Sequence, residues 1–221
     1  MFPAKHSAKP QVNTHFGRRL GYRFGVLPEL PDAQRSTLAE YEGLLRDRAV
    51  PLGLVAASDA ERMKERHIND SLRAAVLLLE ADELVCDIGS GAGLPGLVMA
   101  IARPEIRFVL LEPKQRAVGF LELVVDRLGL SNVEVRAERI EDVDLEADVA
   151  TARAFGSLER SWQAAVPVLR PGGRLVYFAG EGLEDPEGAA GAVTVPEQPE
   201  RVRIERVVAG FSPLVIMTRK G

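Results

Sequence analysis

The chain has 221 residues, 46% hydrophobic and 27% charged, with a formal net charge of −4 at pH 7. This composition is ordinary for a globular protein and leaves room for one large domain, or for one domain and a small appendage. The single cysteine, Cys86, excludes an intramolecular disulfide, and no apolar run is long enough to span a bilayer. Because the N-terminus also lacks an apolar signal core, we expect a cytoplasmic protein with no membrane partner.

The charges are unevenly distributed along the chain. Residues 1–31 hold five Lys or Arg residues against one acid, residues 201–220 hold five against one, and residues 181–200 hold six acids and no base. The net charge does not indicate nucleic-acid binding, but the two basic ends leave room for a surface that faces RNA. Residues 1–31 show no periodicity, and we interpret them as a basic, flexible arm.

Residues 32–80 are predicted to form an N-terminal helical subdomain. Apolar residues at helical spacing predict its first helix over 32–48. Ser58 and Glu61 have the spacing of a capping box, which predicts that a second helix begins there. This helix continues to the end of the region, with or without a break near 67–70.

Residues 81–221 alternate between short apolar runs and helical patterns, which predicts an α/β fold with a mostly parallel sheet and helices on both faces. Strands are predicted at 83–88, 106–112, 132–136, 147–152 and 173–179. Helices are predicted at 94–103, 114–129, 138–142 and 157–169. A turn at Pro171-Gly172-Gly173 precedes the fifth strand, and the runs 201–209 and 214–219 predict an antiparallel hairpin at one edge of the sheet.

A glycine-rich loop follows the first strand, with the sequence Asp87-Ile-Gly-Ser-Gly-Ala-Gly-Leu-Pro-Gly96. Part of it also satisfies the G-x-G-x-x-G pattern of dinucleotide sites, but in those sites the strand runs directly into the first glycine. S-adenosylmethionine carries no phosphate, and a carboxylate beside the turn favours its positively charged amino acid part. The sequence therefore predicts that Asp87, Gly89, Gly91 and Gly93 bind S-adenosylmethionine; a tight turn that binds nothing is the alternative.

Three further side chains lie where parallel strands end, at the edge of the sheet that binds ligands. Glu112, 25 positions after Asp87, is placed to accept hydrogen bonds from both ribose hydroxyls. Ile140 follows the third strand, where an adenine would lie between backbone amides and an apolar side chain. Arg153 ends the fourth strand, and three partners are open to it: the methionine carboxylate, Asp87, or a purely structural ion pair. His67 has no second His or Cys to complete a metal site, so no metal is predicted.

Residues 59–180 resemble the bacterial 16S ribosomal RNA guanine-N7 methyltransferases, also called glucose-inhibited division protein B. The matching stretches are Arg66-His67-Ile68-Asn69-Asp70-Ser71-Leu72, Asp87–Gly96, Arg103-Pro104, Leu110-Leu111-Glu112, Leu128-Gly129-Leu130 and Arg153-Ala154-Phe155. The resemblance implies a Rossmann-like fold of the class I methyltransferases that use S-adenosylmethionine, and a guanine acceptor in 16S ribosomal RNA or the 30S subunit. It also implies that five residues contact the cofactor: Gly89, Leu94, Ile140, Glu141 and Arg153.

The chain departs from the family pattern on the acceptor side. Gly53-Leu54-Val55 stands where the family has Asn-Leu-Thr, Ala179 stands where it has a Lys, and the basic residues near 114–116 are shifted. These sites would flank the acceptor rather than the cofactor. The glycine loop, Glu112 and the matching stretches together predict an S-adenosylmethionine-dependent methyltransferase that modifies guanine N7. Because N7 carries no proton, its methylation needs no general base, and no catalytic residue is assigned. The alternatives are the same fold acting on another RNA site or a small molecule, a cofactor-binding protein without turnover, and a dehydrogenase.

Overall fold

The computed structural model describes residues 27–180, 199–205 and 213–221. Most of the predicted basic arm lies outside this part of the chain, as do most of the acidic segment 181–200 and the end of the predicted strand 201–209. Among the described residues, no helix combines the length and apolar character that a membrane crossing requires.

The described residues form seven strands: β1 (Leu84–Ile88), β2 (Arg107–Leu111), β3 (Val133–Arg136), β4 (Ala147–Arg153), β5 (Leu169–Phe178), β6 (Arg201–Glu205) and β7 (Leu214–Thr218). They make one sheet in the order β3-β2-β1-β4-β5-β7-β6. Strands β1 to β5 run parallel, and β7 pairs antiparallel with both β5 and β6, which confirms the mostly parallel sheet and its terminal antiparallel pair.

Five α-helices accompany the sheet in the described residues. They are α1 (Asp32–Leu44), α2 (Asp70–Ala75), α3 (Gly96–Ala102), α4 (Gln115–Leu128) and α5 (Leu158–Ala165). Shorter helical pieces connect them: π-helical turns at Leu45–Ala49 and Lys64–Asn69, and 3₁₀ turns at Ala57–Arg62, Ile140–Asp142 and Val166–Val168. Each predicted helix has a counterpart, although the region after Ser58 is not one continuous helix.

The strands bury alternate side chains in two apolar layers, one on each face of the sheet. On one face, β1 and β2 pack Val85 and Phe108 against α1 to α4. On the other face, β1 and β2 pack Cys86 and Val109 against α5, whose Trp162 is fully buried. Helices therefore cover both faces, as the alternating pattern predicts.

Two local predictions are wrong. Ser58 does not cap a helix, because the 3₁₀ turn begins one residue earlier, at Ala57, and has no side-chain cap. The Pro171-Gly172-Gly173 segment does not precede β5 but lies inside it, as an irregularity where β5 pairs with β4. These residues remain part of the strand because the N–H of Gly172 donates to the Arg219 carbonyl, and the N–H of Arg219, just beyond β7, donates to the Gly173 carbonyl.

Candidate cofactor-binding site

The order of the strands fixes where a ligand can enter. The chain winds outward from β1 to β2 and β3, and then returns to place β4 on the other side of β1. In open parallel sheets the ligand binds at the carboxyl ends of the strands where the winding direction changes. In this protein that point lies beyond the ends of β1 and β4.

Asp87 holds the glycine loop to the sheet from a fully enclosed position. One carboxylate oxygen accepts the Thr151 hydroxyl at 2.6 Å, and the other accepts the backbone N–H of Gly96 at 3.2 Å. Burial raises the pKa of Asp87, and the hydrogen bonds from Thr151, Ser90 and Gly96 act in the opposite direction. Both oxygens of this predicted site residue therefore bond within the protein, where they position the loop.

Tyr41 reaches the same loop from α1. Its hydroxyl donates to the carbonyl oxygen of Ala92 at 2.6 Å, and its side chain is completely buried. Tyr41 falls within the predicted helix 32–48, whose spacing does not reveal its link to the loop. The N-terminal helices are thus part of the support of the loop.

Glu112 bonds to both the glycine loop and the segment that follows β2. Its carboxylate accepts the backbone N–H of Gly91 at 2.9 Å and that of Lys114 at 2.9 Å, and the residue is 5% exposed. A carboxylate has about four acceptor positions, so two remain for the hydroxyls of a ribose. Glu112 thereby connects the loop after β1 to the end of β2, which is the position that the sequence predicts for it.

A cleft opens next to Leu111 and Pro113, the two neighbours of Glu112 in the chain, while Glu112 itself does not line it. It holds roughly 340 Å³ of empty space, part of it open to solvent, and is lined by Ile88, Gly89, Leu111, Ile140, Phe155 and Arg160, among others. Glu141, predicted as a contact of the cofactor, lines it as well. Its apolar residues offer surface for a nucleoside base, and its charged residues, which include Glu138 and Arg139, offer polar groups beside it.

Phe155 and Arg160 form a wall of the cleft that the sequence does not reveal. The Arg160 guanidinium lies 5.3 Å from the centre of the Phe155 ring. A Cβ at Gly89 would come within 2.9 Å of that ring, so the loop and the wall approach each other closely. Ala154, just before the ring, has a φ of 54°, an uncommon backbone conformation for a residue with a side chain.

Arg153 does not line the cleft and does not bond to Asp87. Its guanidinium turns toward the start of α2, where it lies 3.3 Å from a carboxylate oxygen of Asp70, and it donates to the carbonyl of Arg66 in the preceding segment at 2.9 Å. Of the three partners that the sequence leaves open to Arg153, the structure shows a structural ion pair, which is made with Asp70. Leu94 and Gly93 lie in the loop outside the cleft wall, and Gly93 is buried beneath Tyr41.

These features fit S-adenosylmethionine at the level of shape and chemistry. A Cβ at Gly91 would meet nothing closer than the Gly89 carbonyl oxygen at 3.9 Å, so there is open space beside the loop at this residue. Glu112 offers acceptors for a ribose, and Ile140 and Phe155 offer apolar surface for a base. The fold and this site define a Rossmann-like methyltransferase.

Comparison with known proteins identifies the family within that class. Residues 34–209 match the family described as rRNA small subunit methyltransferase G, or GidB. A ribosomal RNA small subunit methyltransferase G from Clavibacter sepedonicus is 41% identical over 173 residues, covering 77% of this chain and 81% of that protein. A protein of the same name from Streptomyces coelicolor is 36% identical over 206 residues, covering 87% of this chain and 85% of that protein.

Among solved structures, an S-adenosylmethionine-dependent O-methyltransferase from Thermotoga maritima superposes with a TM-score of 0.57 at 16% identity, covering 74% of this chain and 70% of that one. This likeness shows the shared fold. The chain belongs to the rRNA small subunit methyltransferase G family. Membership confirms the family that the motifs resemble, the enzyme class and S-adenosylmethionine as the cofactor.

Proposed function

We propose that this protein transfers the methyl group of S-adenosylmethionine to N7 of a guanine in 16S ribosomal RNA, in the cytoplasm, with the 30S subunit or its RNA as substrate. The observation that carries the proposal is the hydrogen bond that joins the glycine loop to Glu112, next to a cleft of apolar and charged residues at the switch point of the sheet. The family description supplies the small-subunit RNA.

The proposal assigns roles to the predicted site residues. Gly89 and Gly91 let the cofactor approach the backbone, Glu112 accepts the ribose hydroxyls, and Ile140 with Glu141 borders the adenine. Asp87, Gly93 and Leu94 shape the loop, and Arg153 acts at the amino acid end of the cofactor.

The reaction requires alignment more than proton transfer. S-adenosylmethionine supplies an electrophilic methyl group on a sulfonium, and guanine N7 attacks it with a lone pair that carries no proton. The protein must therefore hold the two reactants in line and exclude water, so that proximity and orientation account for most of the rate. No side chain is required to remove a proton.

The test is methyl transfer with mapping of the modified atom. Purified protein and labelled S-adenosylmethionine are incubated with 30S subunits, or 16S RNA, from cells that lack this methylation. We expect one labelled guanine, cleavable by the reduction and aniline treatment that is selective for N7-methylguanine. Absence of transfer to either substrate, or a label on a different atom, contradicts the proposal.

A matched pair of variants connects activity to the site. Glu112→Gln keeps the size of the side chain but exchanges one acceptor for a donor that faces backbone N–H groups. Since hydrogen bonds to a charged group contribute about 1.5–3 kcal/mol, we expect affinity for S-adenosylmethionine to fall at least about tenfold by titration calorimetry. Glu122→Gln, on the exposed side of α4, is the control and should bind as the wild type does.

A second acceptor remains open because of one observation. Ala179, which stands where the family has a Lys, directly follows Phe178, and the Phe178 ring lies 5.8 Å from the Arg153 guanidinium. The changed residue is thus close to the proposed amino acid end of the cofactor. Methyl transfer to another RNA nucleotide in the same mapping experiment would favour that alternative.

A further inference from the structure

His67 and Arg153 meet at the end of β4, outside the cleft. One terminal nitrogen of Arg153 lies 3.0 Å from Nδ1 of His67, and the same nitrogen donates to the Arg66 carbonyl. The other terminal nitrogen donates to the Ser71 hydroxyl at 3.3 Å. The segment 64–71 thus surrounds one end of the guanidinium with acceptors.

The contacts of the ring fix the tautomer of His67. A guanidinium can only donate, so Nδ1 must accept from Arg153 and carries no proton. The ring proton therefore lies on Nε2, which donates to a carboxylate oxygen of Asp59 at 3.1 Å. Asp59 orients the ring, and the ring in turn offers its free lone pair to Arg153.

The surrounding charges favour the neutral ring. Desolvation by burial and the positive charge of Arg153 lower the pKa of His67, Asp59 opposes them, and Arg66 adds a smaller contribution in the same direction as Arg153. Asp70 contacts the same terminal nitrogen of Arg153 and is shared with Arg73, whose Nε donates to it at 2.7 Å. Since two guanidinium groups already share this carboxylate, a third positive charge on His67 would be poorly compensated.

We propose that His67 is a positioning residue for the cofactor: oriented by Asp59, its neutral ring accepts a hydrogen bond from Arg153 and aims that guanidinium at the carboxylate of S-adenosylmethionine. The inference rests on the proposed role of Arg153 at the amino acid end of the cofactor. It gives His67 neither a metal nor a base function, because Nδ1 is occupied by Arg153 and Nε2 carries the proton donated to Asp59.

Two substitutions separate the two hydrogen bonds of the ring. In His67→Asn the side-chain oxygen takes the place of Nδ1, which keeps the acceptor for Arg153 and loses the donor to Asp59. In His67→Gln the amide nitrogen takes the place of Nε2, which keeps the donor to Asp59 and loses the acceptor. A merely structural role would make the two variants equivalent or would favour the one that keeps the contact with Asp59.

The ligands are S-adenosylhomocysteine, which has the amino acid carboxylate, and 5′-methylthioadenosine, which lacks it. Titration calorimetry at pH 7.5 should show that His67→Gln weakens S-adenosylhomocysteine binding about tenfold, as expected for the loss of one hydrogen bond to a charged group, and leaves 5′-methylthioadenosine unchanged. His67→Asn should bind both ligands nearly as the wild type does. Equal losses for both ligands, or no loss in either variant, would overturn the proposal.

A measurement on the wild-type protein keeps the proposal falsifiable if a variant fails to fold. Protonation of His67 removes the acceptor. Because the pKa of His67 is lowered, the preference for S-adenosylhomocysteine over 5′-methylthioadenosine should hold at pH 7 and fall only below the ordinary histidine pKa of about 6.5, at the pH where the ring becomes protonated. The nitrogen NMR shifts of His67 should show a proton on Nε2 at neutral pH and report where the ring is protonated. A preference that does not change when the ring is protonated, a proton on Nδ1 at neutral pH, or failure of the wild type to bind S-adenosylhomocysteine would contradict the proposal.

These binding measurements need no RNA. A protein that binds S-adenosylhomocysteine in this way but transfers no methyl group to 16S RNA would contradict the proposed function and leave the role of His67 intact. Methyl transfer by the wild type, together with an unaltered ligand preference in His67→Gln, would support the proposed function and contradict the role of His67.

Discussion

Gly91 and Gly93 lie two residues apart in the loop, and a side chain at each would meet a different obstacle. A Cβ at Gly93 would lie 2.3 Å from Leu97 and 3.0 Å from the Tyr41 hydroxyl, so it would disturb the packing beneath the loop. At Gly91 there is space, but the backbone has a φ of 56°, which a β-branched residue adopts only with strain. Both glycines have a positive φ, 90° at Gly93 and 56° at Gly91, but packing restricts only Gly93, while Gly91 has open space that a ligand could use.

This difference predicts that Gly91→Val folds but does not bind the cofactor. The branched side chain would project into the approach of the ligand, and the strain should lower the free energy of unfolding by about 1–3 kcal/mol. Gly119→Val is the matched control, because Gly119 lies in α4 and a Cβ there would have no neighbouring atom within 4 Å. Calorimetry and urea unfolding measure the two effects. Normal affinity in a folded Gly91→Val protein would show that the ligand does not approach there.

Sequence reasoning locates the site residues but cannot assign their partners. The apolar runs before Asp87 and Glu112 predict that both lie at strand ends, and both do. The Thr151 hydroxyl that bonds to Asp87 comes from β4, which lies beside β1 only after the chain has returned across the sheet. Three roles are open to Arg153 in the sequence because its partner Asp70 lies on a distant part of the chain.

At the scale of elements, a buried ion pair connects the turn before β1 to β5. Arg174 donates to Asp82 at 2.9 Å and to the Leu77 carbonyl at 2.9 Å, and Asp82 also accepts the backbone N–H of Leu79. Both charged side chains are almost completely enclosed, at 9% and 2% exposed. The pair fixes where α2 meets the sheet, and each charge depends on the other for compensation.

Removing one member of this pair should therefore destabilise the protein strongly. We expect Arg174→Met to lower the free energy of unfolding by about 3–5 kcal/mol, because Asp82 would remain buried without its counter-ion. Arg127→Met breaks the Glu40–Arg127 pair between α1 and α4, whose side chains are 49% and 62% exposed. This control should lower the free energy of unfolding by less than about 1 kcal/mol. Chemical denaturation compares the two, and similar losses would show that Asp82 is well solvated.

The order and type of most elements follow from periodicity, whereas the geometry of the segment after Ser58 does not. Its pattern predicts a helix, but the structure divides it into a 3₁₀ turn, a π-helical turn and α2. Asp59 bonds to His67, and the Ser71 hydroxyl bonds to the His67 carbonyl, so side chains within the segment compete with regular helical geometry. Spacing alone does not reveal such bonds, since they depend on how the segment packs against Arg153.

At the scale of the molecule, the N-terminal helices and the sheet share one apolar core. Leu38, Tyr41 and Leu45 belong to the same buried cluster as Phe108 of β2 and Val176 of β5. The predicted division at residues 80 and 81 therefore crosses a continuous core, and Tyr41 and Arg153 add polar links across it. We infer that residues 32–80 and the sheet domain fold together.

A shared core predicts a single cooperative unfolding transition. Trp162, the only tryptophan of the chain, lies on the face of the sheet opposite α1, so its fluorescence reports on the core that the N-terminal helices do not touch. Far-ultraviolet circular dichroism reports on all helices, and the two thermal curves should coincide. S-adenosylhomocysteine at about 100 times its dissociation constant should stabilise the folded state by about 2.7 kcal/mol and shift both curves equally. Separate transitions, or a shift confined to one probe, would show instead that residues 32–80 unfold independently of the sheet.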